Sequence, residues 1–180
     1  MNSKIDDNLK ELNKYVYSNS SPLIYLSKIG RVDLLRKLFE KVIIPQEVYE
    51  EVVVRGKEER FPDALVIENA VKEKWIIVKD LENGEAEYLR DIDIGEEAVI
   101  KMARKNKANL VLLDDASANA IAKSLGLNVR GTLYVLLLAC KKELISKDMA
   151  KTSIKDLIKS GFRISAKVYA EIMDELEKIE

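Results

Sequence analysis

Short, continuously apolar runs alternate with helix-like segments along this chain. An unbroken apolar run is typical of a strand that helices cover on both faces of a sheet. We predict strands at residues 15–17, 42–44, 75–78, 110–113 and 128–130. Helical periodicity separates them, at residues 22–28, 32–39, 46–55, 63–73, 85–89, 96–105, 116–125 and 132–142. This alternation predicts an α/β fold with a parallel sheet between helices.

The length of the chain favours one domain. It has 180 residues, enough for a substantial core and hardly enough for two. We predict a polar N-terminal extension at residues 1–14, a domain at residues 15–145 and a helical extension at residues 146–180 that packs on the same domain. In this tail, Gly161 should end one helix and Ser165 should cap the next. Residues 54–63, VRGKEERFPD, are predicted to form a mobile loop.

Two scarce residue types limit the chemistry. The chain has no histidine, which excludes serine–histidine and cysteine–histidine catalysis and imidazole metal ligands. Its one cysteine, Cys140, excludes an intrachain disulfide and a thiolate zinc cluster. An enzyme of this composition would depend on carboxylates, lysine and hard cations such as Mg²⁺ or Mn²⁺.

The charge and apolar patterns predict a cytoplasmic protein. The net charge is −1, so a surface that binds nucleic acid must be local. The longest apolar run, residues 133–140, is far shorter than the about 20 residues that span a bilayer. The N-terminus lacks the apolar core of a signal peptide. We therefore expect no membrane segment.

Polar residues follow two of the predicted strands directly. Asn19 follows the first strand, and Asp114 and Asp115 follow the LVLL strand. In open α/β sheets, sites form beyond the carboxyl ends of the strands. Each junction also has a structural explanation, because Asn19 can form a turn and cap a helix and Asp115 is a good N-cap. Capping does not explain Asp114.

The segment DIGEEAVIKMARK contains an acid that points towards the core. With a period of 3.6 residues, Glu96 lies on the apolar face of Val99 and Ile100, and Glu97 points away. An acid in the first turn complements the helix dipole, but this does not explain an inward direction. A buried carboxylate costs free energy unless it is paired or bound to a metal. We therefore favour a functional role for Glu96.

The segment IIPQEVYEEVV offers two further acids. Glu50 and Glu51 flank its apolar face about equally on opposite sides, so periodicity does not choose between them. On this segment alone, a solvated acidic helix edge is the favoured interpretation.

Taken in order, several segments resemble the PIN-domain family of Mg²⁺- or Mn²⁺-dependent ribonucleases, and most closely its uncharacterised prokaryotic branch. The matching pieces are NSSPLIYLSKIGRVDLLRKLF, VIIPQEVYEEVV, DIGEEAVIKMARK, LVLLDDASANAIAKSLGLNVRGTLYVLLLACKKELI and LIKSGFRIS. The resemblance implies a three-layer α/β/α sandwich. It also implies RNA as substrate, one or two Mg²⁺ or Mn²⁺ ions, a toxin role with an antitoxin-like protein partner, and a homodimer.

The resemblance also implies a set of site residues. The acids of the family fall on Asn19, Glu51, Glu96 and Asp114, with Asp115 beside the last, and Ser21 matches a hydroxyl position. The departure is Asn19, whose neutral oxygen is a weaker ligand for a hard cation than a carboxylate. Two interpretations follow. Either metal binds through Glu51, Glu96 and Asp114, and Asn19 is a neutral ligand or orients a water, or the domain is a catalytically silent module that binds RNA or protein.

Overall fold

Five parallel strands form one sheet in the computed structural model, which describes residues 15–81 and 91–179. The strands are β1 (Tyr15–Ser18), β2 (Lys41–Pro45), β3 (Ile76–Lys79), β4 (Val111–Leu112) and β5 (Val129–Arg130). Their order in the sheet is β3-β2-β1-β4-β5, and each neighbouring pair is parallel. Each strand lies where an apolar run predicts one, so the predicted parallel sheet is confirmed.

Helices cover this sheet on both faces. They are α1 (Ser20–Lys28), α2 (Asp33–Leu38), α3 (Gln46–Tyr49), a π-helical segment (Glu50–Arg55), α4 (Gly56–Glu58), α5 (Pro62–Lys72), α6 (Ile94–Lys105), α7 (Ala116–Ser124), α8 (Thr132–Lys141), α9 (Lys147–Lys159) and α10 (Ala166–Glu177). α6 packs on β1, β2 and β4, whereas α2 packs on β2 and α5 on β3. The fold is a three-layer α/β/α sandwich. Within the described ranges, no helix has the length and apolar character needed to cross a membrane.

The strands lie at the centre of the core, and both of their faces are buried. Val16, Val42 and Ile44 are fully buried. Tyr17 and Ile43 point to the opposite face and are at most 5% exposed. Burial on both faces explains why the strand sequences are continuously apolar instead of alternating with polar residues.

The segment predicted as a loop is largely helical. The sequence predicts a loop over residues 54–63, but α4 continues to Glu58 and α5 begins at Pro62. Gly56 is a packing residue, because a Cβ at this position would lie 2.9 Å from the Cβ of Ala64. Pro62 opens α5, where a missing N–H costs nothing. The predicted helix at residues 85–89 lies outside the described part of the chain.

The C-terminal helices pack against the sandwich. α9 contacts α8 and α1, and α10 contacts α8 and α9. Gly161, with φ of 96°, follows the end of α9, and Ser165 Oγ accepts a hydrogen bond from Val168 N over 3.2 Å at the start of α10. Both predicted boundary signals are confirmed. The domain boundary at residue 145 stays a prediction.

Two polar junctions meet at one edge of the sheet. β1 and β4 are parallel neighbours, and Asn19 N donates to Leu112 O over 3.1 Å. The residues that follow the two strands therefore lie side by side, at the edge where α/β folds bind ligands. α1 and α7 begin at this edge.

Candidate functional site

Asn19 caps α1 and contacts the inward acid of α6. Its side chain is almost completely buried, and Oδ1 accepts hydrogen bonds from Ser20 N over 2.6 Å and from Ser20 Oγ over 3.1 Å. This orientation directs Nδ2 towards Glu96, and Nδ2 donates to Glu96 Oε1 over 3.4 Å. The capping role predicted from NSSP is confirmed. The amide thus presents a donor, and not a free oxygen, to the neighbouring acid.

Glu96 is buried and bonded at the start of α6. It is 6% exposed and forms a reciprocal capping box with Asp93. Glu96 N donates to Asp93 Oδ1 over 2.7 Å, and Asp93 N donates to Glu96 Oε2 over 3.2 Å. The inward direction predicted from periodicity is confirmed. Glu97 instead pairs with Lys101 one turn later, at 2.6 Å.

The electrostatics of Glu96 reveal a group of acids. Burial and neighbouring negative charges raise the pKa of Glu96 from 4.5 to about 7. Burial is the largest cause, and the charges of Asp93, Asp115 and Glu51 add to it, whereas the hydrogen bond from the Asp93 backbone opposes it. We name these four acids the acidic site. Its carboxylates repel one another, so a bound cation would stabilise their ionised forms.

Glu51 enters the acidic site from the π-helical segment. A Cβ on Gly95 would lie 3.4 Å from Glu51 Oε2 and 3.4 Å from Asp93 Oδ1, which locates both carboxylates at the first turn of α6. Burial raises the pKa of Glu51, and Asp93 raises it further; the Ser20 hydroxyl and Arg55 lower it. π-helical turns are rare and occur frequently at functional sites. Glu50, the alternative acid, is exposed.

Asp114 and Asp115 have different environments. Asp114 accepts hydrogen bonds from Thr132 N at Oδ1 over 2.8 Å and from Thr132 Oγ1 at Oδ2 over 2.6 Å. Burial raises the pKa of Asp114, and both bonds to Thr132 lower it. Asp115 is exposed and caps α7, with Oδ1 accepting from Ser117 N and Ala118 N. Asp115, but not Asp114, is among the charges that raise the pKa of Glu96. A ligand role for Asp114 stays a prediction.

The contact of Asp114 with the start of α8 requires a glycine. A Cβ at Gly131 would lie 2.6 Å from Asp114 Oδ1. We expect Gly131→Ala to lower the free energy of unfolding by about 2 kcal/mol, because overpacking a buried contact forces side chains or backbone to shift. Urea denaturation measures this change. In an Asp114→Ala background the cost should shrink, and an undiminished cost would contradict the assigned clash.

The donor chemistry of the acidic site fits a hard divalent cation. Mg²⁺ and Mn²⁺ prefer carboxylate and carbonyl oxygen, and Glu51, Glu96 and Asp115 supply carboxylates. Asn19 fits less well, because its oxygen is committed to the α1 cap and its Nδ2 faces Glu96. Over residues 15–81 and 91–179, no three acids or cysteines already stand close enough to form a metal-binding group. Binding a cation would therefore require side-chain movements.

Sequence reasoning missed two contributors to this site. No sequence pattern assigned Asp93 to a site, yet it lies beside both Glu51 and Glu96; the Asp-x-x-Glu spacing of a capping box was the available signal. Ser20, next to the predicted Ser21, supplies a hydroxyl that contacts Asn19 and Glu51, and a supporting role for Ser21 stays a prediction. The spacing of NSSP alone did not distinguish the two serines.

Comparisons with known proteins identify the family of this chain. A family model described as a PIN domain matches residues 15–178. The chain belongs to the PIN-domain family. A solved PilT N-terminus domain protein from the hyperthermophilic archaeon Sulfolobus solfataricus P2 is 15% identical, with a TM-score of 0.45; the match covers 67% of this chain and 89% of that chain. No curated protein matches.

Proposed function

We propose that this protein is a divalent-metal-dependent endoribonuclease whose active centre is the acidic site. The observation that carries the proposal is the buried carboxyl group of Glu96 at the start of α6, beside Asp93, with the charges of Glu51 and Asp115 acting on it. A group of mutually repelling carboxylates at the carboxyl edge of a parallel sheet is the arrangement that a hard cation stabilises. Membership of the PIN-domain family supports this reading.

In this proposal Glu51, Glu96 and Asp115 hold Mg²⁺ or Mn²⁺. When bound, the cation supplies an activated water and offsets negative charge at the phosphodiester. The chain contributes the orientation of these carboxylates. Asp93 fixes one oxygen of Glu96 through the capping box, and the Ser20 hydroxyl restrains Glu51.

Asn19 acts as a positioning residue in the proposed site. Its Nδ2 donates to Glu96 Oε1 over 3.4 Å and so restrains the direction of that carboxyl group. An aspartate here would add a buried negative charge beside Glu96, which already faces the charges of Asp93, Asp115 and Glu51. We therefore propose that Asn19 lowers charge repulsion at the expense of metal affinity.

Cleavage of a labelled RNA in Mn²⁺ tests the proposed function. We expect Glu96→Gln and Asp115→Asn to reduce the cleavage rate at least about a hundredfold, because each removes a charge that binds the cation. Glu40→Gln, at an exposed acid between α2 and β2, is the matched control and should retain the wild-type rate. Full activity of Glu96→Gln and Asp115→Asn would reject the assigned site.

The variant Asp114→Asn distinguishes the role of Asp114 from that of the adjacent Asp115. An asparagine can still accept from Thr132 N, and its amide nitrogen can donate to Thr132 Oγ1, so the substitution removes the charge and reverses one hydrogen bond. We expect cleavage by this variant to fall less than tenfold, because Asp114 is bonded to Thr132 and does not contribute to the pKa of Glu96. A loss equal to that of Asp115→Asn would instead make Asp114 a ligand, as the family resemblance predicts.

The second candidate is a silent module that binds RNA or protein. The hydrogen bond between Asn19 and Glu96 favours this silent module, because it gives Glu96 a polar partner without a cation. This candidate predicts RNA binding that EDTA does not change and no rise in melting temperature with Mn²⁺. The toxin role, the antitoxin-like partner and the homodimer stay predictions from the family resemblance.

A further inference from the structure

Arg55 lies on the same helical segment as Glu51, one turn further along the chain. Val52, Val53 and Gly56 are buried and fix which side of the π-helical segment faces the core. Residues four apart are neighbours on one side of a helix, so Arg55 and Glu51 share a side. Arg55 is exposed, whereas Glu51 is partly buried. The guanidinium therefore lies at the solvent-exposed edge of the acidic site.

The charge of Arg55 acts on the acidic site. Burial raises the pKa of Glu51, and Asp93 adds to this increase. The Ser20 hydroxyl and Arg55 lower the same pKa. Burial is the largest cause of the raised pKa of Glu96, and every charge that contributes to it is negative. Within residues 15–81 and 91–179, Arg55 is thus the one cation that acts on either of these two carboxyl groups.

Arg55 is not engaged in an ion pair of its own. Among the described residues, no carboxylate pairs with its guanidinium, so its influence on Glu51 is exerted over a longer distance. Lys57, two residues later, instead pairs with Glu68 at 2.8 Å. The guanidinium of Arg55 is therefore available to a ligand that approaches the acidic site.

The acidic site needs a positive group at its edge to accept an RNA phosphate. Its four carboxylates carry more negative charge than one divalent cation offsets, and like charges repel a phosphodiester. We propose that Arg55 binds a phosphate of the RNA next to the scissile bond and so positions the strand over the acidic site. A guanidinium suits this role, because it stays charged and its N–H groups can bond two phosphate oxygens at once. The proposal rests on the proposed function and adds a residue that recognises its substrate.

Steady-state cleavage of a labelled oligoribonucleotide in Mn²⁺ measures the role of Arg55. We expect Arg55→Gln to raise KM about tenfold and to lower kcat less than about threefold, because the bound phosphate is not the one that reacts. Arg55→Lys retains the charge and should keep KM within about threefold of the wild-type value. The matched control is Arg60→Gln, at an exposed arginine before α5, which should leave both constants unchanged. An unchanged KM of Arg55→Gln would overturn the proposal.

RNA binding without turnover gives a second measurement. Fluorescence anisotropy with a labelled oligouridylate in EDTA should show that Arg55→Gln binds more weakly than wild type. Its salt dependence should be about one unit smaller, as expected when one phosphate contact is lost. Arg60→Gln should bind like wild type. An equal loss of affinity in Arg60→Gln would reduce the effect to general surface charge and would overturn the proposal.

Mn²⁺ affinity separates substrate binding from a role as a partner of Glu51. Measured by electron paramagnetic resonance, Arg55→Gln should bind Mn²⁺ at least as tightly as wild type, because the substitution removes a positive charge near the cation. A lower Mn²⁺ affinity would mean that Arg55 acts through Glu51, and would overturn the proposal. If no protein cleaves RNA but Arg55→Gln binds it more weakly than wild type and Arg60→Gln do, only the proposed function fails. If wild type cleaves RNA and Arg55→Gln equals it in KM and in RNA affinity, only the Arg55 proposal fails.

Discussion

Glu96→Gln is expected to stabilise the metal-free protein at pH 8 while it abolishes metal-dependent cleavage. Burial and nearby acids raise the pKa of Glu96 to about 7 in the folded state, above its ordinary value of 4.5. The folded chain thus binds a proton more tightly than the unfolded chain. The free energy of unfolding falls as the pH rises between these two values, by up to about 3 kcal/mol. A neutral glutamine does not incur this loss.

Urea denaturation in EDTA measures the stabilising effect of Glu96→Gln. We expect the variant to exceed wild type by about 1–3 kcal/mol at pH 8 and by little at pH 5, where Glu96 of wild type is protonated. Glu40→Gln serves as the control, because Glu40 is exposed. A variant less stable than wild type at pH 8, or an equal difference at both pH values, would contradict this account of Glu96.

Asn19→Asp is expected to destabilise the metal-free protein, whereas Glu96→Gln is expected to stabilise it. The substitution replaces the hydrogen bond from Nδ2 to Glu96 Oε1, 3.4 Å long, with two like charges. The cap of α1 should survive, because aspartate caps helices as well as asparagine does. We expect the metal-free variant to lose about 1–3 kcal/mol of stability at pH 8, a typical cost for an unpaired buried charge next to another.

Mn²⁺ should reverse the loss in Asn19→Asp, because an added carboxylate strengthens a hard-cation site. We expect a rise in melting temperature with Mn²⁺ that is several degrees larger than in wild type, and faster RNA cleavage. Asn109→Asp, at an exposed asparagine before β4, controls for the added charge. If Asn19→Asp responds to Mn²⁺ no more than wild type does, then Asn19 does not limit metal affinity.

The sequence predicted the sheet well because each strand is indicated by an apolar run of consecutive residues. Burial on both faces requires unbroken apolar runs, and strand β1, with Val16 and Tyr17 buried on opposite faces, shows why the runs are visible. The structure of residues 54–63 was harder to predict from the sequence. Its glycine and proline are typical of loops, but Gly56 allows close packing against Ala64 and Pro62 opens a helix. These roles depend on neighbours that are distant in sequence.

The acidic site was only partly predictable, for a similar reason. Periodicity identified Glu96 because its direction is a property of one helix. It did not choose between Glu50 and Glu51, since the choice depends on how the π-helical segment meets α6. Nor did it find that Thr132 bonds Asp114, because that contact joins the ends of two neighbouring strands. Local patterns indicate which residues face inward, whereas the fold decides which of them meet.

Mn²⁺ binding tests the central claim most directly, namely that Glu51 of the π-helical segment, Glu96 of α6 and Asp115 at the start of α7 hold one cation. Electron paramagnetic resonance at pH 8 measures free Mn²⁺ in the presence of wild type and of four single variants. The account predicts that Glu51→Gln, Glu96→Gln and Asp115→Asn each weaken binding at least about tenfold, as expected when a carboxylate ligand is lost, and that Glu40→Gln binds like wild type. Equal Mn²⁺ affinity in all five proteins would contradict it.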